Sequence, residues 1–418
     1  MTRRMWAARL GASVLSLAAL AGCGHRVSPS AAAQDAPGVT DEGAPAACPA
    51  SATGPAPVTG GAATATGPVR SVTDFGARGD DSADDTAALQ GALDALEPGE
   101  TLLFPPGTYR HRDVLTVRAP GVQLLGDGAT LLATDEERSA FHVAADRVVV
   151  SELAFAVESV TRRWDSYEQH KIRVSGQEGV VLHRVQVLKS AASGIFIADG
   201  ASCFLVDGVT VRDTQADGIH LSGGAHDGTL INPTVIGSGD DGVAVVSYSG
   251  EPAPSHDIAV LSPRVRSNTH GRGLSVVGGE DIAFRDVRVE SSDAAAVYIA
   301  AEGAPYDTYG TRNVTVSGGE LIDSNRNPAV DHGAVLVFSG RVGQEVSGVH
   351  VEDLTISGTR QDASRQVGLV TAGGDIESVT LDGLSIRGGP PVAFSSDVDL
   401  SSVRIVGWRV DGEPFYVR

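Results

Sequence analysis

The stretch that decides the fold is residues 194–245, GIFIADGASCFLVDGVTVRDTQADGIHLSGGAHDGTLINPTVIGSGDDGVAV. It contains three apolar segments that begin with glycine, at 194–197, 218–221 and 242–245, so that they start 24 residues apart. Apolar side chains at every second position are typical of strands with one face in a core. A strand that returns at this period predicts a solenoid in which each turn stacks on the one before it.

A second repeat predicts the rest of each turn. It reads apolar-x-apolar-x-x-apolar-x-apolar, as at residues 180–187 and 204–211, and its copies start 24 to 35 residues apart. The two-residue break predicts a tight corner between two short strands. Three short strands per turn predict an all-β, right-handed parallel β-helix of about ten turns over residues 69–418. The spacing of Leu89, Leu93 and Leu96 predicts a short capping helix at its N-terminal end.

The first 23 residues have the organisation of an export signal. Three arginines precede a short apolar run that ends in Leu-Ala-Gly-Cys at residues 20–23. This tetrapeptide resembles the lipobox of bacterial lipoproteins, which implies acylation of Cys23 and anchoring to the outer face of the cell membrane; an ordinary secretory signal is the alternative. Residues 24–68 are rich in Ala, Pro, Gly, Ser and Thr, and this composition predicts a flexible tether.

Charge and cysteine content restrict the partners. The 32 basic and 52 acidic side chains give a net charge of −20, which opposes binding to nucleic acid or to an anionic membrane surface. Contact with the membrane is therefore expected only through the lipid. Three cysteines are too few for a disulfide framework, so Cys48 is expected to have no role and Cys203 to be a small packed residue. We expect a monomer without a cofactor or a metal ion.

Three acidic residues precede two of the glycine segments. Asp217 stands directly before Gly218 and Asp241 directly before Gly242, which is the same position in consecutive turns, and Asp240 adds a third acid. Because neighbouring parallel strands are about 4.8 Å apart, the carboxylates are expected to crowd, and crowding raises at least one pKa. Cleavage of a glycosidic bond requires one protonated and one ionised carboxylate. Spacing alone also allows plain Asp-Gly turns or calcium ligands.

Two parts of the chain resemble known families. Residues 72–86 and 104–109 resemble the opening of pectate-lyase-like and polygalacturonase-like β-helix proteins, and residues 217–245 resemble the signature of the polygalacturonases, glycoside hydrolase family 28. This resemblance implies an inverting hydrolase in which Asp240 is the general acid, while Asp217 and Asp241 hold the attacking water. It also implies carboxylates spaced widely enough to admit that water.

The chain departs from that family at its basic residues. Gly-Arg-Gly at 271–273 replaces the family's Gly-His-Gly, and Tyr-Ile-Ala at 298–300 replaces the Arg-Ile-Lys that binds a sugar carboxylate. We therefore expect a neutral glycan as the polysaccharide substrate instead of galacturonan. The alternatives are a lyase or epimerase that acts on a uronate with Ca²⁺ and Arg272 as the base, and a non-catalytic glycan-binding β-helix.

Alternation along the strands predicts the other residues of the cleft, because the middle residue of each glycine segment faces outward beside the acids. His220 is expected to contact the substrate or a carboxylate, or else to be an inert surface residue. Arg272 is expected to hold the acids or the substrate, or else to form a structural ion pair. His270 is a second candidate for the missing histidine. Tyr298 belongs to the same outward-facing row and is expected to bind the substrate. The loop residues Trp164 and Tyr306 are expected to stack on sugar rings, or else to pack at the edge of the core.

Overall fold

The computed structural model describes Cys48, Ala65 and residues 67–417. The signal predicted at residues 1–23 and most of the tether predicted at 24–68 therefore lie outside the described residues. The described chain is a right-handed parallel β-solenoid of about 12 turns, which confirms the fold predicted from the repeats.

Two sheets make up the described solenoid, and their strands pair in parallel except for Arg409–Val410 with Glu413–Pro414, which pair antiparallel. The eleven-stranded sheet consists of Leu115–Val117, Phe141–Val143, Ile172–Ser175, Ile195–Ala198, Ile219–Leu221, Val243–Val246, Leu274–Val277, Val297–Ala301, Val335–Ser339, Val367–Thr371 and Phe394–Ser396. The larger sheet consists of Val69–Ser71, Asp80–Asp84, Thr101–Phe104, Gly107–His111, Gln123–Gly126, Ala129–Ala133, Val149–Ser151, Ala154–Val157, Val181–His183, Gln186–Val187, Leu205–Asp207, Thr210–Arg212, His226–Ile231, Thr234–Ile236, His256–Leu261, Arg264–Arg266, Gly279–Glu290, Thr311–Ile322, Glu345–Ser357, Asp375–Asp382, Ser385–Arg387, Val403–Val406, Arg409–Val410 and Glu413–Pro414.

The predicted capping helix is present at the N-terminal end. It spans Thr86–Asp94, and it buries Leu89 and Leu93 against the first turns of the core. The 3₁₀ turns are Val72–Phe75, Glu136–Arg138 and Leu400–Ser402. Among the described residues, no helix is long and apolar enough to cross a membrane.

The register of the eleven-stranded sheet confirms the predicted alternation. Ile219 pairs with Val243, and both side chains are fully buried in the core. The residues between the inward-facing positions align from turn to turn, so that one outward-facing row runs along the sheet: Phe196, His220, Ala244, Ser275 and Tyr298. Burial of each Val, Ile or Leu of the inner rows contributes about 1.5–3 kcal/mol, and no single turn can bury its row alone.

The corners of the larger sheet are closed by residues with a left-handed backbone. At the predicted two-residue break, this conformation recurs in successive turns at Arg184, Gly208, Asn232, Ser262 and Asp286, with φ between 49° and 62°. Most of these are the residue types that tolerate positive φ best. The column of corners thus follows from the small polar residues and glycines at the breaks of the repeat.

A disulfide bond joins Cys48 to Cys203, with the two Cα atoms 5.6 Å apart. The expectation that Cys48 has no role and that Cys203 is only a packed residue is therefore wrong. The two cysteines are 155 residues apart in sequence, and no pattern in the sequence indicates that residue 48 lies against this corner of the solenoid. A cross-link that closes so long a loop stabilises the folded chain by about 3–5 kcal/mol in the loop-entropy account.

Lys171 is fully buried inside the solenoid, at the position that Gly194 occupies in the next turn. Its Nζ donates to the carbonyl oxygen of Ser139 at 2.6 Å and lies 3.4 Å from Nε2 of His111. Nδ1 of His111 donates to the Asp113 carbonyl oxygen, which leaves Nε2 as the acceptor. Burial lowers the pKa of Lys171 to about 7, and burial followed by the lysine charge lowers the pKa of His111 to about 3.

We expect Lys171→Met to flatten the pH dependence of the free energy of unfolding between pH 7 and 10. The folded amine loses its proton near pH 7 and the unfolded amine near 10.5, so wild-type stability rises with pH across this window. Below pH 7 both states carry the proton, and the cost of enclosing the charge is present in full. The interval of about 3.5 pH units corresponds to at most about 5 kcal/mol.

Urea unfolding at pH 6, 8 and 10 measures this effect. Lys189→Met changes the other lysine of the chain, which is only half-buried, and should keep the wild-type pH dependence. Equal slopes for wild type and Lys171→Met over this range would show that the buried amine does not titrate as expected.

Candidate active site

Three carboxylates meet on the outer side of the eleven-stranded sheet. Asp217 precedes the strand Ile219–Leu221, Asp240 and Asp241 precede Val243–Val246, and one oxygen of each carboxylate lies within 4.8 Å of the others. We call these three residues the acid cluster. The backbone ladder fixes their position, because the N–H of Gly218 donates to the carbonyl oxygen of Asp241 at 2.9 Å. The predicted juxtaposition of Asp217 and Asp241 on adjacent turns is confirmed.

Asp217 is held by groups of its own turn and of the next. Its Oδ2 lies 2.5 Å from Nδ1 of His220, and its Oδ1 accepts the backbone N–H of Asp241 at 2.9 Å. Both side chains are about nine-tenths buried. The expected contact between His220 and a carboxylate is therefore present, and it leaves Asp217 with one orientation.

Asp241 is the most buried member of the acid cluster, at 3% exposure. Its Oδ1 accepts the backbone N–H of Arg272 at 2.6 Å, and its Oδ2 accepts the hydroxyl of Ser275 at 2.6 Å. Burial raises the pKa of Asp241 to about 7; Arg272 opposes this shift, and the charges of Asp240 and Asp217 add to it. Burial, with a smaller contribution from carboxylate crowding, therefore favours the protonated form of Asp241.

Asp240 is the most exposed member, and an arginine that the sequence analysis did not identify binds it. Nη1 of Arg163 donates to Oδ2 of Asp240 at 2.6 Å. Arg163 lies in the connection 158–171, which joins Ala154–Val157 to Ile172–Ser175 and is 77 residues before Asp240 in sequence. This connection has no apolar period, so nothing in the sequence indicates where its side chains lie.

Gly271 lies against the acid cluster, and this close contact leaves no room for a side chain at residue 271. Its φ is +72°, and a Cβ at this residue would lie 2.4 Å from Oδ1 of Asp240 and 2.5 Å from Oδ1 of Asp241. Carbon and oxygen atoms do not approach so closely without displacement of one of them. The glycine thus lets the next turn come close enough for the backbone of Arg272 to reach Asp241.

Arg272 joins the acid cluster to a second buried group. Its guanidinium lies 3.7 Å from Asp241, binds Glu302 at 2.7 Å and stacks over the ring of Tyr298 at 4.2 Å. The hydroxyl of Tyr298 donates to the same Glu302 oxygen at 3.0 Å, and its ring stacks on His332. Tyr298 is 3% exposed, so it supports Arg272 and has no free face for a sugar ring.

An aromatic row continues from the acid cluster towards the N-terminal end. The ring of His220 stacks on Phe196 at 5.3 Å, and Phe196 stacks on His170 at 4.2 Å. Tyr167 lies 5.7 Å from Phe196 and carries the guanidinium of Arg173 over its ring. This row forms a flat, partly apolar floor beside the acids.

The remaining candidates lie away from the acid cluster. His270 is exposed, and its Nδ1 is 3.9 Å from Asp293, because Gly271 turns the backbone between it and Arg272. The ring of Trp164 is half-buried with the guanidinium of Arg162 over it at 3.6 Å. Tyr306 is 60% exposed in the connection that follows Val297–Ala301. Of the two residues expected to stack on sugar rings, Trp164 and Tyr306, only Tyr306 presents an open ring.

The connections 247–255 and 302–310 form a wall beside the cleft. They follow the C-terminal ends of the strands Val243–Val246 and Val297–Ala301. Tyr248 and Thr308 form an antiparallel bridge between the two connections, and the hydroxyl of Tyr309 donates to the carbonyl oxygen of Glu251 at 2.7 Å. Glu251 accepts the hydroxyl of Ser222, and burial raises the pKa of this carboxyl. The acid cluster therefore lies between this wall and the connection 158–171, and we call the surface between them the groove.

Solved structures share the solenoid at low sequence identity. The catalytic unit of an α-1,3-glucanase of glycoside hydrolase family 87 from Streptomyces thermodiastaticus is 21% identical, with a TM-score of 0.59 over 86% of this chain and 70% of that one. The A-module of the mannuronan C-5 epimerase AlgE6 from Azotobacter vinelandii is 17% identical, with a TM-score of 0.57 over 81% and 98%. The surface adhesin PfbA of Streptococcus pneumoniae is 14% identical, with a TM-score of 0.61 over 82% and 90%.

These likenesses establish the fold and, at such identities, nothing beyond it. The sequence comparison with curated proteins found no match. A family profile, in contrast, matches residues 69–297, which is more than half of the chain and includes the whole acid cluster. The chain belongs to the family described as rhamnogalacturonase A/epimerase, pectate lyase-like.

Proposed function

We propose that the protein is a glycoside hydrolase that cleaves a polysaccharide with Asp217, Asp240 and Asp241. The observation that carries this proposal is the acid cluster itself, with three carboxylate oxygens within 4.8 Å on the floor of an open groove. Like charges at this distance repel each other, and the core of the solenoid does not need them. Burial raises the pKa of Asp241 to about 7, close to the pH at which a carboxyl group can both take up and release a proton in catalysis.

The exposure of the three side chains supports the division of roles expected from the resemblance. Asp240 is 24% exposed, whereas Asp217 and Asp241 are 11% and 4% exposed. Asp240 can therefore approach the glycosidic oxygen and donate a proton as the bond to the anomeric carbon breaks. Asp217 and Asp241 orient a water molecule, which adds its oxygen to that carbon and gives up its proton to one of them.

The expected wide spacing of the carboxylates is not observed. Inverting glycosidases usually place their two carboxyl groups about 6.5–9.5 Å apart, which leaves room for a water molecule. Here the nearest oxygens lie within 4.8 Å. The spacing therefore does not favour inversion, and this outcome stays a prediction of the polygalacturonase resemblance that the anomeric configuration of the first product can test.

A neutral glycan remains our proposal for the substrate. The arginines in contact with the acid cluster are Arg163 and Arg272, and each is bound to carboxylates of the chain itself. Neither is free to hold a uronate carboxylate while these pairs last. The family name and the epimerase among the similar structures keep uronate polymers in the panel of test substrates.

The lyase alternative requires Arg272 to remove a proton. Burial lowers the pKa of Arg272, but the charges of Asp241 and Glu302 outweigh burial and raise this pKa well above its ordinary value. A guanidinium held by two carboxylates is a poor base. We therefore place the hydrolase before the lyase, and a non-catalytic glycan-binding role is the third candidate.

We also propose that the protein is exported and anchored through a lipid on Cys23. The signal lies outside the described residues, but the disulfide bond between Cys48 and Cys203 supports export, because disulfides persist mainly outside the reducing cytosol. The excess of acidic side chains gives the protein no electrostatic affinity for anionic lipid. Attachment to the membrane then depends on the acyl group alone.

The first prediction concerns the acids. Asp240→Asn should lower turnover on a cleavable glycan by at least about a hundredfold, because an amide cannot supply the proton. Asp217→Asn and Asp241→Asn should also be strongly impaired through loss of water activation. The melting temperature of Asp240→Asn should hold or rise, since this change removes one of three crowded charges. Reducing-end release from a glycan panel measures turnover, and NMR of the first product gives its configuration.

Asp257→Asn is the matched control, because Asp257 is exposed, pairs with His256 and lies in the larger sheet away from the cleft. It should remain fully active. Ultraviolet-absorbing unsaturated products that disappear with a chelator and with Arg272→Ala, but persist in Asp240→Asn, would establish the lyase instead. Absence of any product with retained glycan binding would establish the binding protein.

A second prediction concerns location. Cys23→Ser should release the protein from the membrane fraction without loss of activity, because the acyl acceptor and the groove lie in separate segments. Cys48→Ser removes the disulfide and keeps the acyl acceptor, so it should stay in the membrane fraction. Detergent phase partition and mass spectrometry of the N-terminal peptide measure both variants. Retention of Cys23→Ser at the membrane would contradict lipid anchoring.

A further inference from the structure

Both oxygens of Asp240 lie beside groups of the protein, and Oδ2 has a bonding partner. Oδ1 lies against Gly271, close enough that a Cβ there would be 2.4 Å away. Oδ2 accepts Nη1 of Arg163 at 2.6 Å. The backbone of Gly271 belongs to the stacked turns and cannot leave, whereas the Arg163 side chain is 44% exposed. A substrate atom that approaches Oδ2 from the side of Nη1 therefore takes the place of the guanidinium.

The backbone on either side of Arg163 is anchored to neighbouring turns. The N–H of Thr161 donates to the carboxylate of Glu136 at 2.7 Å, and the N–H of Trp164 donates to the carbonyl oxygen of Ala191 at 2.9 Å. These bonds hold the connection in place while the long side chain reaches into the groove. Departure of the guanidinium from Asp240 then needs only rotation about side-chain bonds.

Arg163 also has a second carboxylate partner. Its Nε donates to Oδ1 of Asp165 at 3.1 Å, two residues away on the same connection. When Nη1 leaves Asp240, the guanidinium keeps this partner and stays in contact with solvent, so its charge is not left uncompensated. The pair Arg163–Asp240 can therefore be exchanged at a small cost.

We propose that Arg163 is a positioning residue for Asp240: it holds Oδ2 in the empty groove and yields this oxygen to the glycosidic oxygen when a glycan binds. The proposal rests on the hydrolase function argued above. The charged groups that face Asp240 are Arg163 from the connection 158–171, Asp217 and Asp241 within the cluster, and Arg272 from the next turn.

Exchange of Arg163 has a direct consequence for the proton. With the guanidinium present, Oδ2 of Asp240 accepts a hydrogen bond from Nη1 of Arg163 at 2.6 Å and does not contact a glycosidic oxygen. When a neutral glycosidic oxygen replaces it, Asp240 lies beside Asp217 and Asp241 with Arg272 as the one remaining cation among the described residues that face it, and uptake of a proton relieves the repulsion. This proton passes to the glycosidic oxygen as the bond to the anomeric carbon breaks, and it leaves with the new hydroxyl group. Substrate binding thus prepares the acid.

The first test needs no substrate. In protein labelled with ¹³C at aspartate Cγ, the Asp240 signal is identified by its loss in Asp240→Asn. We expect the pH at which this signal titrates to rise by at least about one unit in Arg163→Met. The reason is that a neighbouring positive charge lowers the pKa of a carboxyl group by about 1–3 units, and this variant removes that charge. Arg163→Lys should restore most of the wild-type curve, because it keeps the charge.

Arg162→Met is the matched control. Arg162 is the preceding residue of the same connection, and its guanidinium covers Trp164 at 3.6 Å. It has no ion pair with the acid cluster, so this variant should titrate as the wild type. An Asp240 signal that titrates identically in wild type and Arg163→Met would overturn the proposal, even if the variant melts at a lower temperature.

The second test uses a glycan that the wild-type enzyme cleaves. The alkaline limb of kcat/KM should move to higher pH in Arg163→Met, with the wild-type limb restored in Arg163→Lys and unchanged in Arg162→Met. If Arg163→Met is active and the alkaline limb of its kcat/KM profile is the same as in the wild type, the proposed role of Arg163 is rejected. The hydrolase function is then still supported. If the Asp240 signal titrates at higher pH in Arg163→Met but the wild-type protein cleaves no glycan, the hydrolase function is rejected. The interaction of Arg163 with Asp240 is then still supported.

Discussion

Parallel hydrogen bonding between successive turns is the constraint on which the rest of this molecule depends. Each turn lies about 4.8 Å from the next, so residues 24 apart in the central repeats become neighbours. The same ladder that aligns Ile219 with Val243 in the core places Asp217 beside Asp241 outside it. The apolar rows stabilise this stack, and the crowded acids are tolerated because the stack does not let them separate.

The repeat is also what made part of the site predictable from sequence. Asp217, Asp241 and Ser275 lie at fixed offsets within strands of known period, so their juxtaposition follows from counting along the chain. Arg163 and Cys48 lie in segments without a period, and only the folded structure shows what they contact. The expectation for His270 failed for a related reason. His270 is two residues before Arg272, but Gly271 between them has a left-handed backbone, so the two side chains point in different directions. Sequence periodicity therefore predicts positions on the strands and is silent about the connections.

The electrostatics of the groove depend on both kinds of segment. The strands and their corners supply three carboxylates with nearly fixed orientations, of which Asp241 is buried and holds its hydrogen bonds from Arg272 and Ser275. The connection 158–171 supplies a cation that compensates the most exposed of them. A rigid set of acids combined with an exchangeable partner allows high charge density in the empty groove and leaves that charge available to a ligand.

The disulfide bond changes how the proposed anchor would present this groove. Cys203 lies in the corner that follows Ile195–Ala198, one turn before the strand that carries His220, so the cross-link attaches near the acid cluster along the length of the solenoid. If Cys23 carries the lipid, only the residues between Cys23 and Cys48 separate the membrane from this corner, a contour of at most about 90 Å at 3.6 Å per residue. Without the bond, the whole segment up to the first strand at Val69 would span that distance. With such an anchor, the cross-link would place the point of attachment in the middle of the solenoid instead of at its end, and it would shorten the reach of the groove.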